Sequence, residues 1–150
     1  MNRYTTLNGA LCLLAALWCG AVIGVSFIAT PVKFSAPSLD LAVALDVGRT
    51  TFAAFSRIEW GAAVALLLLT LTAGPTARAL VLAGVLAVTL AAQGFWLLPI
   101  LDARVAAIIA GTPLPSSWHH TAYGALELLK VALLLAIFVV ALGRTRTASS

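Results

Sequence analysis

Apolar positions along the chain fall into four long runs, separated by short stretches that hold most of the proline and charge. The runs cover about residues 7–30, 53–73, 79–98 and 118–142. Each is close to the roughly 20 residues with which an apolar helix crosses a bilayer. The pattern predicts an all-α, integral membrane four-helix bundle, a single domain over residues 1–150 with a polar tail at 144–150. The first run continues to Thr30 without the short apolar centre of a cleaved leader, so it reads as a span.

The breaks between runs predict the connections. Pro31, which has no N–H to donate, is expected to stop the first helix. Asp40, Asp46 and Arg49 interrupt the next apolar stretch, which reads as a short interfacial helix between the first and second spans. Ser38 is placed to cap that helix, and Gly48 to mark its bend into the second span. GPTAR, beginning at Gly74, makes a turn so short that the second and third helices must be antiparallel neighbours. Pro99 kinks or ends the third helix, and after Gly111, Pro113 and Pro115 either Ser116 or Ser117 caps the fourth, which runs to Gly143. Ala16, Gly20 and Gly24 make a stripe of small residues on the first helix, open to a close helix contact and hence to a homo-oligomer.

Composition strengthens this picture. Apolar residues make up 62% of the chain and charged ones 9%, with a mean hydropathy of +1.07. A net charge of +4 does not imply nucleic acid, because the surplus lies in short segments at one side of the expected bundle. That side carries Arg3, Arg78, Arg144 and Arg146 with no acidic residue, which predicts cytoplasmic termini in a cell (inner or plasma) membrane. The opposite side holds Lys33, Arg49, Arg57, Arg104 and Lys130 against Asp40, Asp46, Glu59, Asp102 and Glu127. Cys12 and Cys19 lie seven residues apart, roughly 10 Å along a helix, too far for a mutual disulfide, and read as packing residues.

Chemistry concentrates at the start of the fourth helix. His120, Tyr123, Glu127 and Lys130 follow spacings of three, four and three, so they share one face. A charge within the hydrocarbon costs about 2.5 kcal/mol or more, so Glu127 and Lys130 require partners inside the bundle. Arg57, Glu59, Asp102 and Arg104 approach from the same side, and Gln93 can add a hydrogen bond. His119 and His120 are the candidate metal ligands. As neighbours on a helix they diverge by about 100°, so a shared metal would need Asp102, Glu59 or a second protomer. Metalloprotease, nucleotide-binding and nucleophile-elbow motifs are missing from the sequence, and no cofactor is indicated.

GVSFIATPVKF, VGRTTF, WLLPILDAR and HHTAYGALELLK together resemble the transmembrane-protein-205-like family of four-helix membrane proteins, from about Gly24 to Lys130. The resemblance implies a four-helix membrane fold and no settled biochemical role. It puts Pro31 and Phe34, Gly48 and Phe52, Pro99 and Arg104, and one histidine of the pair at family positions. Glu127, Lys130 and the doubled histidine depart from the pattern, which leaves a specialised branch or an anthrone-oxygenase-like family as alternatives. The expected function is binding or transport of a cation, proton, metal or small polar ligand at an outward polar cluster, alone or as an accessory subunit in the lipid bilayer. The competing expectations are a membrane-embedded oxidoreductase or oxygenase using His120, Tyr123 and Glu127, and a purely structural subunit of a larger membrane complex.

Overall fold

A computed structural model describes residues 3–112 and 114–147, with side chains through Thr145. Asn2, Pro113, the Arg146 side chain and the last three tail residues lie outside the described residues. Four helices long and apolar enough to span a membrane make up the fold: α1 (Arg3–Lys33), α2 (Leu41–Thr72), α3 (Ala77–Ile109) and α4 (His119–Thr147). Both α1 and α3 pack against α2 and α4, so α1 lies diagonally across the bundle from α3, and α2 from α4. The start of α1, the α2–α3 turn and the end of α4 gather at one end, the turn end. The other is the histidine end.

Two expected boundaries move for one reason. Neither Pro31 nor Pro99 ends its helix: α1 continues to Lys33 and α3 to Ile109. In each case the residues just before the proline form a widened, π-helical turn, Ile23–Ala29 in α1 and Ala92–Leu97 in α3. The Thr30 N–H bonds back to the Val25 carbonyl, and the Leu98 N–H to that of Gln93, each five residues away. A proline ring inside a regular helix collides with the carbonyl four residues back. Widening the turn relieves that collision and lets the helix pass through. The Thr30 hydroxyl adds a 2.7 Å bond to the Val25 carbonyl.

The expected interfacial helix is likewise not separate. It forms the first turns of α2, which is continuous for 32 residues. Asp40, not Ser38, holds the N-cap position, and Gly48 makes no bend because it is buried where the Lys33 side chain lies against it. At 1.5 Å per residue α2 is roughly 48 Å long, well beyond the ~30 Å hydrocarbon layer.

The core centres on the α1–α4 pair. Leu11, Cys12, Ala15, Trp18, Cys19 and Val22 join Leu133, Leu134, Ile137 and Ala141 in one buried cluster, extended by Phe55, Leu66, Ala83 and Leu86. Cys12 donates a weak hydrogen bond to the Phe138 carbonyl, and both cysteines are free thiols used in packing. Ala16 and Gly20 face outward, and a Cβ at Gly20 or Gly24 would meet nothing within 4 Å. Close approach to α4 therefore falls to Cys12, Ala15 and Cys19.

The turn end is fastened by side chains from two helices. Asn8 on α1 donates to the Ala73 carbonyl, while Arg144 on α4 donates to the carbonyls of Ala73 and Gly74. These acceptors are the carbonyls that a helix C-terminus leaves without partners. Gly74 adopts φ 84°, a left-handed conformation, and Thr76 caps α3 by accepting from the Ala79 N–H. Gly74→Val should destabilise the protein by about 1–2 kcal/mol, the usual cost of a left-handed residue with a Cβ. Gly74→Asn should lose less. Equilibrium unfolding in mixed detergent micelles checks both, and equal stability for the valine variant would contradict this account of the turn.

Candidate functional site

Inside the bundle, toward the histidine end, polar side chains from all four helices converge on two carboxylates and one ammonium. Lys130 on α4 sits between Glu59 on α2, 2.5 Å from its Oε1, and Glu127 one turn earlier on α4, 2.9 Å from its Oε1. All three are enclosed, with exposures of 0% for Lys130 and 1% for each glutamate. Neutral donors complete the network from the other diagonal. The Trp18 indole N–H of α1 donates to Glu59 Oε1 at 3.0 Å, and the Ser26 hydroxyl donates to Glu127 Oε2 at 3.0 Å. The Gln93 amide of α3 donates to Glu127 Oε1 at 2.9 Å and to the Tyr123 carbonyl at 3.3 Å.

Each helix contributes for a local reason. Ser26 and Gln93 both belong to the widened turns that precede the prolines. A turn of this kind changes the direction in which the following side chains leave the helix, which is why it recurs at functional sites. Glu127 and Lys130, three residues apart, lie on one face of α4 and pair with each other, and Lys130 reaches on to Glu59. Lys130 occupies the place between the carboxylates that a metal ion would take. Gln93 Oε1 is buried and has no hydrogen-bond partner among the described residues.

Above the network, nearer the histidine end, lies a partly open cavity of about 430 Å³. Its wall includes Thr30, Gly94 and Tyr123, while Ser26, Gln93 and Glu127 belong to the network below. Those pairs are separated by four, one and four residues, so at most about one helical turn divides cavity from network. Tyr123 is buried at the boundary and packs edge-to-face on Phe52, with ring centroids 5.3 Å apart. Lys33, Arg49, Asp102 and His120 supply the polar part of the wall, and Phe34, Leu45, Leu98 and Val105 part of the apolar part.

The expected outward cluster of charges is therefore three separate arrangements. Glu59, Glu127 and Lys130 form the buried network; Tyr123, His120 and Asp102 line the cavity above it. Arg57 is exposed and takes no part, because its position on α2 turns it away from α4. Arg104 donates instead to the Pro115 carbonyl at 2.6 Å, tying α3 to the linker that leads into α4. Asp102 faces Arg49, at 3.7 Å, and Arg49 also bonds Asp46 at 2.7 Å. These pairs are more than a third exposed, where ion pairs contribute little to stability.

His119 and His120 separate as their adjacency requires. His119 stacks on Trp118, with centroids 4.5 Å apart, and its Nδ1 pairs with the Ser117 hydroxyl. Ser117, rather than Ser116, also accepts the His119 N–H at the start of α4. Among the described residues no three of histidine, cysteine, aspartate and glutamate converge as they would around a metal. His120, in the cavity wall, and Glu127, in the network, face different spaces, which separates two of the residues that the enzyme expectation had combined.

Fold and site together define a four-helix membrane-protein class with a charged, hydrogen-bonded interior beneath a partly open cavity. The chain belongs to the family described as Domain of unknown function (DUF4149), whose model matches residues 13–107. Trp18, Ser26, Glu59 and Gln93 lie within the matched stretch, and Tyr123, Glu127 and Lys130 beyond it. No curated protein and no solved structure matches the chain.

Removing one member of a buried ion network strands the others, at a typical cost of about 3–5 kcal/mol. Lys130→Met should therefore lose about that much stability, because it leaves two enclosed carboxylates without a cation. Adding Glu59→Gln and Glu127→Gln should recover most of it. Unfolding free energies from steric trapping in bicelles would test the pattern. A triple variant no more stable than Lys130→Met would refute it.

Proposed function

We propose that this protein is a binding or transport-associated membrane protein in which the Glu59–Lys130–Glu127 network takes up and releases a proton in concert with a ligand in the cavity above. The carrying observation is the charge balance of a sealed site. Two carboxylates face one ammonium, so the fully ionised network has a net charge of −1 in surroundings where an uncompensated charge is costly. One proton removes that excess. It also needs no space, unlike a metal, which would have to displace Lys130. The buried Gln93 Oε1 offers an acceptor to a protonated carboxyl or to a water that carries the proton. Tyr123 lines the cavity one turn from Glu127 along α4, between the two spaces.

The finer assignments belong to the same proposal. The transmembrane-protein-205-like resemblance is the family branch that we favour, and the protein works alone, as a homo-oligomer, or as an accessory subunit of a larger complex. Arg3, Arg78 and Arg144 collect at the turn end without acidic neighbours in sequence, which supports cytoplasmic termini and a cavity on the side away from the cytoplasm.

Infrared difference spectra of the reconstituted protein between acid and alkaline pH should contain a protonated-carboxyl band that disappears in both Glu59→Gln and Glu127→Gln. In liposomes loaded with a pH-sensitive dye, the same variants should slow ligand-driven proton movement at least tenfold. If the band is missing, or persists in both variants, the network is purely structural.

A further inference from the structure

The cavity itself has a charge preference opposite to that of the network beneath it. Arg49 is engaged by Asp46 and Asp102, whereas Lys33 makes no ion pair among the described residues. Its ammonium does not extend outward along the helix end, as a lysine reaching for lipid headgroups would. It turns in against the neighbouring α2, in the space left by the missing side chain of the buried Gly48, and 5.0 Å from the centre of the Phe34 ring. A cation–π contact offsets only part of what a partly desolvated ammonium loses. Beside it the wall is apolar and aromatic, with Phe52, Leu98 and Val105 among its residues.

We propose that the cavity binds an amphiphilic monoanion, a carboxylate or phosphate head on an apolar tail, with the head paired to Lys33 and the tail along the Phe52–Leu98–Val105 wall. A volume of about 430 Å³ lies within the range of small-molecule sites. Lys33, which no carboxylate engages among the described residues, disfavours a cationic ligand, and the scarcity of polar groups disfavours a sugar or other strongly hydrated solute. Gly48 has a defined part: any larger residue would take the place of the ammonium and move the charge away from the ligand. This assignment rests on reading the cavity as the ligand site of the proposed function, and it names the class of ligand.

The test uses the full-length protein in nanodiscs of zwitterionic lipid, with radiolabelled decanoate as the probe at fixed pH. Decanoate should bind saturably and at least tenfold more tightly than decanol or decylamine compete. Lys33→Gln should remove that preference, Lys33→Arg should restore most of it, and Gly48→Ala should weaken decanoate binding about fivefold or more with the charge unchanged. Thermal unfolding confirms that each variant is folded. Stronger competition by phosphatidylglycerol than by unlabelled decanoate assigns the anion to a membrane lipid, the reverse to a free acid; either result supports the class. Competition by decanol equal to that by decanoate, or full binding by Lys33→Gln, overturns it. The two readings fail separately. Decanoate binding without a carboxyl infrared band removes only the proton step, and a band without decanoate binding removes only the anion site.

Discussion

An ammonium held between two carboxylates in the middle of a lipid-embedded bundle constrains everything around it. None of the three can be hydrated from the side, because the outer surfaces of the helices face hydrocarbon, and none tolerates the loss of its partners. The pair Glu59 and Lys130 bridges one diagonal of the bundle and fixes the rotation of α2 against α4. Trp18, Ser26 and Gln93 come from the other diagonal, so α1 and α3 are held in register by the same few atoms. Apolar packing elsewhere is tolerant of small slides, since lipid and leucine are much alike as neighbours. Directional bonds to a charge are not, and they give this bundle one arrangement.

Much of this was visible in the pattern of residues, for identifiable reasons. Four spans follow from run length alone, and the face shared by His120, Tyr123, Glu127 and Lys130 follows from helical spacing. Glu59 and Gln93 were expected among the partners because they stand at matching depths. Trp18 and Ser26 were not, since an indole and a hydroxyl in an apolar run look like ordinary membrane residues until a carboxylate is placed beside them. The cavity was out of reach for a similar reason: its walls come from four separate segments, and spacing within one helix says nothing of the gap between helices. Pro31 does not stop its helix, nor does Pro99, because the residues before each adopt a wider turn, a response that single-residue preference does not encode.

The two polar regions also differ in how they meet the surroundings. At the turn end, Asn8 and Arg144 satisfy backbone carbonyls. Near the histidine end Phe34, Phe52 and Tyr123 line a cavity between the helices, and Trp96 and Trp118 lie against each other, 5.9 Å apart between ring centroids. One end is thus knitted together by hydrogen bonds to a tight turn, and the other holds a cavity walled partly by aromatic rings.

The widened turns also bear on how sequences of this kind can change. Each holds one residue more than a regular helical turn would, so a deletion of one residue within Ile23–Ala29 would give back an unbroken α-helical ladder up to the proline. The extra residue absorbs about 100° of helical rotation: were all of Ile23–Ala29 wound as regular α-helix, everything beyond would turn by that angle. Lys33 would swing out of the bundle while Trp18, upstream, stayed in place. The bulge therefore works as a phase-setting insertion, joining two halves of α1 that face inward in different registers.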